Sequence, residues 1–258
     1  MSELHTLSLT LKNVEAPAGK RCQIRFPQLQ ELRYYHTSSD PNCPIFDILT
    51  SATLRTLRLY DMKYQVADTA AFQKICEACV MAFPSLHTFT CVTEIADAKI
   101  PATPPSSTRI AVSHMFAPLL RTTSMRNVTI CDQDSIQVTD DDLLAFSRAW
   151  PRLRSLNLLW LMYPDPDSRV AIGFPGLLNL ATGTPDLFEL GVPTVCFRRQ
   201  DGYALPLESR HYGLRTLATR EQSMSTELHA ALREWLFPNM APIDYVDRSD
   251  VRQDPVYR

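Results

Sequence analysis

The chain has 258 residues, of which 45% are hydrophobic and 21% charged, with a formal net charge of -2; such a composition can bury a core and lies far from that of a disordered chain. Its basic residues are scattered along the sequence, so no concentrated footprint marks nucleic acid or an anionic membrane as a partner. No stretch approaches the roughly 20 apolar residues that cross a bilayer. The N-terminus has no basic segment followed by an apolar run, and seven cysteines without regular spacing fit a reducing compartment, so the expected location is cytoplasmic or nuclear.

In chain order, an apolar triplet recurs nine times, its second and third members three and five positions after the first. The copies are Leu4-Leu7-Leu9, Leu29-Leu32-Tyr34, Leu54-Leu57-Leu59, Leu86-Phe89-Cys91, Met125-Val128-Ile130, Leu153-Leu156-Leu158, Leu187-Leu190-Val192, Leu214-Leu217 followed by Thr219, and Met240-Ile243-Tyr245. Each copy predicts a short strand whose second and third members share one face, because side chains alternate along a strand. Successive copies start 25, 25, 32, 39, 28, 34, 27 and 26 residues apart, around the leucine-rich-repeat period with insertions.

The intervening segments must carry the chain back to the next strand. Thr69 to Phe83 places Phe72, Ile75, Cys76, Cys79, Val80 and Phe83 on one stripe at helical spacing. Thr139 to Trp150 opens on an N-cap threonine and three aspartates and turns Leu143, Phe146 and Trp150 inward. Thr226 to Leu236 is the third helix, and shorter helical stretches are expected at Pro44 to Ser51, Ser113 to Arg121 and Phe174 to Ala181. Pro27, Pro84, Pro151, Pro185 and Pro238 each stand two residues before a triplet. Proline cannot continue a helix and holds its predecessor extended, so each marks the end of a return segment.

Alternating strands and return helices predict an α/β leucine-rich-repeat solenoid, a ribonuclease-inhibitor-like horseshoe with a concave parallel sheet and helices on the convex side. Residues 1–246 form one repeat domain and 247–258 a polar tail, with a proline-rich surface insertion at Ile100 to Thr108. A solenoid end exposes its apolar face unless capped, and Leu4, Leu7 and Leu9 have nothing before them. A truncated chain is therefore one expectation.

The side chains that could carry chemistry have simpler explanations. Cys76 and Cys79 form the single C-x-x-C, on an apolar stripe where cysteine packs as a small hydrophobe. Asp140, Asp141 and Asp142 suit a helix N-terminus. The six histidines show neither H-x-H nor H-E-x-x-H spacing and are expected mostly on surfaces and loops. No nucleophile elbow or phosphate-binding glycine loop is present. The expectation is a non-enzyme with no metal and no cofactor.

What remains is the open face of the sheet. There Arg33 and Arg58 fall side by side on adjacent strands about 5 Å apart, with Tyr35 beside Tyr60. Like charges so placed repel, and either Glu31 or an acidic protein partner relieves them. Arg and Tyr are enriched at interface hot spots. The patch is either a partner-binding site or a solvated Arg-Tyr ladder.

The segment Val138-Thr-Asp-Asp-Asp-Leu-Leu-Ala-Phe-Ser-Arg-Ala-Trp-Pro-Arg-Leu-Arg-Ser-Leu-Asn-Leu158 resembles the repeat region of fungal F-box proteins, especially the large basidiomycete set. Phe116-Ala-Pro-Leu-Leu120 with Met125-Arg-Asn-Val-Thr-Ile130, and Leu236-Phe-Pro-Asn-Met240, are similar to other stretches of that family. The resemblance implies repeats that hold a substrate protein and an N-terminal F-box that docks on the adaptor of a cullin ubiquitin ligase. Here the first repeat starts at Leu4, with no F-box ahead of it, so adaptor binding is expected only if an F-box lies upstream. A scaffold or regulator unrelated to ubiquitin is the alternative, and an enzyme with a site assembled from separate loops is a remote one.

Overall fold

The structure, a computed structural model, describes residues 4–11, 24–36, 45–62, 69–93, 110–131, 136–158, 172–193, 195, 210–219, 226–241 and 244–245. The Ile100 to Thr108 insertion, Ile243 and the 247–258 tail lie outside the described residues.

Its strands are β1 (Thr6–Leu11), β2 (Ile24–Arg25), β3 (Glu31–His36), β4 (Leu49–Thr50), β5 (Thr56–Met62), β6 (Thr88–Thr93), β7 (Ile110–Ala111), β8 (Asn127–Cys131), β9 (Ile136–Gln137), β10 (Ser155–Asn157), β11 (Glu189–Val192), β12 (Thr216–Thr219) and β13 (Asp244–Tyr245). Nine of them form one parallel sheet in the order β1-β3-β5-β6-β8-β10-β11-β12-β13, so each pass of the chain adds one strand beside the last. Two short parallel pairs, β2 with β4 and β7 with β9, join successive return segments.

The triplets fix this register. Leu7, Leu32, Leu57, Phe89, Val128, Leu156, Leu190 and Leu217 are consecutive pairing partners across the sheet. All but Leu7 are fully buried; Leu7 and Leu9, on the outermost strand, are only partly covered. The first and third triplet positions make two more buried columns, Leu29 to Met240 and Tyr34 to Thr219, and the core is one cluster from Leu29 to Met240. A one-residue slip would turn every column outward, which is why period-two patterning specifies the register so strongly.

The return segments carry helices α1 (Ile45–Ile48), α2 (Thr69–Ala82), α3 (Val112–Met115), α4 (Asp140–Ala149), α5 (Phe174–Gly183) and α6 (Thr226–Trp235), with a 3-10 turn at Ala117–Arg121. Where a single helix was expected over Pro44 to Ser51, the chain makes one helical turn and then β4. Over Ser113 to Arg121 it makes α3 and then the 3-10 turn, because Pro118 has no N–H to continue an α-helix. The expected proline stops are turns in which the N–H of Leu29, Leu86, Leu153, Leu187 and Met240 donates to the carbonyl three residues back, at 3.0–3.3 Å. Phe83, Trp150 and Phe237, the residues before three of these prolines, are buried against the core.

Adjacent turns are also cross-linked. Ser51 Oγ and Thr53 Oγ1 donate to Leu29 O, Ser124 Oγ to Leu86 O, and Trp150 Nε1 to Leu119 O at 3.2 Å. At the last such position stands His211, which differs from the expectation of a surface or loop histidine: it is buried, its Nδ1 accepts the N–H of Leu214 and its Nε2 lies 2.9 Å from Thr184 O. An N–H donated to Nδ1 leaves Nε2 as the protonated nitrogen that bonds the carbonyl.

The acidic run caps three helices. Asp142 closes a capping box with Thr139, accepting its N–H at 2.7 Å, and its other oxygen accepts the N–H of Ser113 at 2.9 Å in the first turn of α3. Asp140 accepts the N–H of Gly173 at 2.7 Å, at the start of α5, whose own N-cap supplies no side-chain bond. Neither α3 nor α5 has an N-cap side chain of its own, and each borrows a carboxylate from α4.

Candidate functional site

On the face of the sheet opposite the core, three rows of side chains run across the strands. The first is Thr6, Glu31, Thr56, Thr88, Asn127, Ser155, Glu189 and Thr216; the second holds Ser8, Arg33, Arg58, Thr90, Thr129, Asn157, Gly191 and Ala218. The third holds Thr10, Tyr35 and Tyr60 as partners, and further along Val92 beside Cys131.

Register places Arg33 directly against Arg58, and Tyr35 against Tyr60, as the equal 25-residue spacing requires. Glu31 lies between the two cations. Its Oε1 accepts from Arg33 Nε at 2.8 Å and lies 3.2 Å from Arg58 Nε. The second contact is an ion pair only, because Arg58 Nε is buried and has no hydrogen-bond partner. The Glu31 hydrogen bond and charge raise the pKa of Arg33 above its ordinary value, and the nearby phenols of Tyr60 and Tyr35 add to this. The side chains of Arg33, Arg58 and Glu31 are 40%, 31% and 23% exposed, so one carboxylate faces two accessible guanidinium groups and the cluster keeps a positive excess.

Tyr35 and Tyr60 stack with ring centroids 4.8 Å apart and 17° between planes. Tyr60 does not stand in solvent as the alternation implied: it is 8% exposed, and Tyr35 covers one side of its ring. The same row closes further along, where Val92 and Cys131 are buried, because these side chains are apolar and sit in contact across one strand spacing. Part of the face expected to be open is therefore core.

The remaining candidates resolve structurally. Cys76 and Cys79 are fully buried on α2. Asp140 and Asp142 direct carboxylate oxygens at helix N–H groups, as described above. His5 and His114 are exposed.

Sequence reasoning missed one alignment. The residue just before each strand contributes Arg55, His87, Arg126, Arg154, Phe188 and Arg215 on six consecutive strands. The arginines are scattered in sequence yet collinear in the fold. The signal was available in the triplets, since this is the position that follows each first member.

No helix among the described residues is long and apolar enough to cross a membrane. In comparison with known proteins, no family model matches this chain and no curated protein sequence matches it.

Proposed function

We propose that this chain is a leucine-rich-repeat module for non-catalytic protein recognition, with the concave side of its sheet seating the partner at Arg33, Tyr35 and Arg58 and with Tyr60 backing Tyr35. The observation that carries the reading is the register pairing of Arg33 with Arg58 and of Tyr35 with Tyr60 on a polar face. Two guanidinium groups share one carboxylate there, so an acidic group on a partner would find a charge excess already assembled, on a rigid sheet that loses little entropy on binding. The stacked rings offer apolar area beside it.

The resemblance to fungal F-box proteins supports a narrower version, in which the partner is the substrate of a cullin ubiquitin ligase and the F-box lies upstream in the same gene. Affinity capture tests both levels. Wild type should retain a partner that the Arg33→Glu/Arg58→Glu variant loses, with about 1 kcal/mol or more lost per hot-spot residue. A gene-extended version should in addition capture the ligase adaptor. Equal capture by the variant at low ionic strength would remove the site. Retention of the partner with no adaptor on the extended chain would leave a scaffold unrelated to ubiquitin.

A further inference from the structure

The edge of the sheet from which the strands start carries a line of basic residues, arginines interrupted by one histidine, that the concave patch does not include. Arg55, His87, Arg126 and Arg154 precede β5, β6, β8 and β10, four consecutive strands; Phe188 and Arg215 precede the next two. Neighbouring positions are one strand spacing apart, about 4.8 Å.

The backbone under this line is held by the double acceptance that also runs through His5, Gln30 and Phe188, in which each carbonyl accepts two N–H groups from the next pass of the chain. Arg55 O takes those of His87 and Thr88, both at 2.8 Å; His87 O takes Arg126 and Asn127, at 2.7 and 3.0 Å; Arg126 O takes Arg154 and Ser155, at 2.7 and 3.1 Å; Arg154 O takes Phe188 and Glu189, at 2.9 and 3.2 Å. These side chains therefore start from a rigid rail.

None of the arginines in the line has an ion-pair partner among the described residues, whereas Arg33, Arg58 and Arg121 each face a glutamate. Arg55, Arg154 and Arg215 are exposed, and Phe188 between the last two is 45% exposed. Beside the rail, the first row of the sheet presents neutral hydrogen-bonding groups at Thr56, Thr88, Asn127 and Ser155, before Glu189 interrupts it. Ser155 Oγ already donates to Glu189 Oε2 at 2.8 Å, which partly occupies that carboxylate. Of the nearby turn residues, Asp186 is exposed and opposes the charge, while exposed Arg152 adds to it.

The unpaired charges of Arg55, Arg126 and Arg154 along this line repel one another, with His87 as a neutral hydrogen-bonding group among them, and a ligand of opposite sign removes the repulsion. We propose that the rail Arg55-His87-Arg126-Arg154 is a second docking surface, which takes an extended acidic segment of a protein partner, rich in Asp and Glu and lying across the strands. A hydrophobic residue at one end of that segment would meet Phe188. The assignment of a protein rests on the reading of the chain as a protein-recognition module; the charge geometry does not. Burial, then the charges of Arg126 and Arg55, hold the imidazole of His87 below its ordinary pKa, so the fields of both arginines converge on it and a bound carboxylate reverses their effect.

The test uses the intact chain and a fluorescein-labelled peptide of ten glutamates ending in leucine, with the all-glutamine peptide as control. Wild type should bind the glutamate peptide, more tightly at low salt, and should not bind the control. Arg126→Glu/Arg154→Glu should weaken binding by about tenfold or more, with Arg126→Gln/Arg154→Gln as a milder second variant should the first not fold. Arg33→Glu/Arg58→Glu should bind the peptide within about twofold of wild type, since its charges belong to the other surface. In the NMR titration of the imidazoles, assigned with His87→Gln, saturating peptide should move the pKa of His87 upward. Equal binding by the rail variants, or loss confined to the Arg33/Arg58 variant, overturns the proposal. So does a DNA duplex that displaces the peptide at physiological salt, because the surface would then take any polyanion. Unchanged partner capture by Arg33→Glu/Arg58→Glu, alongside peptide binding lost in the rail variants, would remove the concave patch and leave the rail standing.

Discussion

The carboxylate of Asp140, in the first turn of α4, accepts the N–H of Gly173 at 2.7 Å and so caps the next helix in the stack. The approach is tight enough that a Cβ at Gly173 would lie 2.8 Å from Asp140 Oδ2, and one at Gly176 would collide with Oδ1. Burial raises the Asp140 pKa above the ordinary carboxylate range; the N–H groups of Gly173 and Gly176 act against this, and the charge of Asp141 adds to it. With the folded-state value the higher one, the folded protein takes up a proton first. Stability then falls as pH rises from the ordinary value of about 3.9 through the raised one, and levels off above it. Asp140→Asn cannot titrate. Its stability relative to wild type, read from urea midpoints, should therefore improve as pH rises through that window, and a flat difference would sink the assignment. Asp140→Ala should cost about 0.5–2 kcal/mol, as the loss of a cap does.

Seven residues further along each helix, Ser147 of α4 and Gly183 of α5 meet in the same way. A Cβ at Gly183 would lie 2.6 Å from the Cβ of Ser147 and 3.1 Å from its carbonyl oxygen. Alanine normally gains up to about 1 kcal/mol over glycine in a helix, but overpacking costs about 1–3 kcal/mol and should dominate here. Gly183→Ala is expected to lower the unfolding midpoint. In a double-mutant cycle Ser147→Gly should recover part of the loss, since it removes one of the two clashing carbons.

Much of this fold can be read in the sequence, and the readable part has a common cause. Leu32, Leu57, Phe89, Val128, Leu156, Leu190 and Leu217 reveal themselves because period-two patterning and the proline turns are local. The side chain of Asp140 reports only that it suits a helix N-terminus; that it also caps α5, through the N-cap residue Gly173, depends on packing between segments 33 residues apart. Arg55, Arg126 and Arg154 look scattered for the same reason, since insertions of unequal length separate positions that the sheet returns to one line. Alternation places Tyr60 on the open face but says nothing about what the neighbouring ring on that face covers.

Leu156 sits at the centre of the buried column, paired with Val128 on one side and Leu190 on the other. Leu156→Ala should cost about 2–5 kcal/mol, measured by denaturant unfolding, with the slope of the transition unchanged. A cost under about 1 kcal/mol would mean that this column is not close-packed.

Cys76 and Cys79 lie on the core side of α2, with Phe72 and Ile75 buried on the same stripe. Their expected role is packing. In native protein Cys76 and Cys79, followed by peptide mapping, should resist a thiol reagent on the timescale in which they react in the unfolded chain, and treatment with a chelator should leave the unfolding midpoint where it was. Stoichiometric zinc that survives dialysis, with loss of folding on its removal, would overturn this.

Glu31 is the one carboxylate that faces both Arg33 and Arg58 among the described residues. Glu31→Gln keeps the shape and removes the charge, which leaves two guanidinium groups opposed on neighbouring strands. Because the three side chains are partly solvated, the loss should be small, under about 1 kcal/mol at low salt, and should shrink as salt screens the repulsion. The effect on recognition runs the other way. Freed of its internal anion, the patch should attract an acidic partner more strongly, and association should accelerate most at low ionic strength. A solvated ladder with no partner would show the stability loss alone. The two readings of the Arg-Tyr patch therefore separate on one substitution, provided that stability and association rate are both measured across the same salt series.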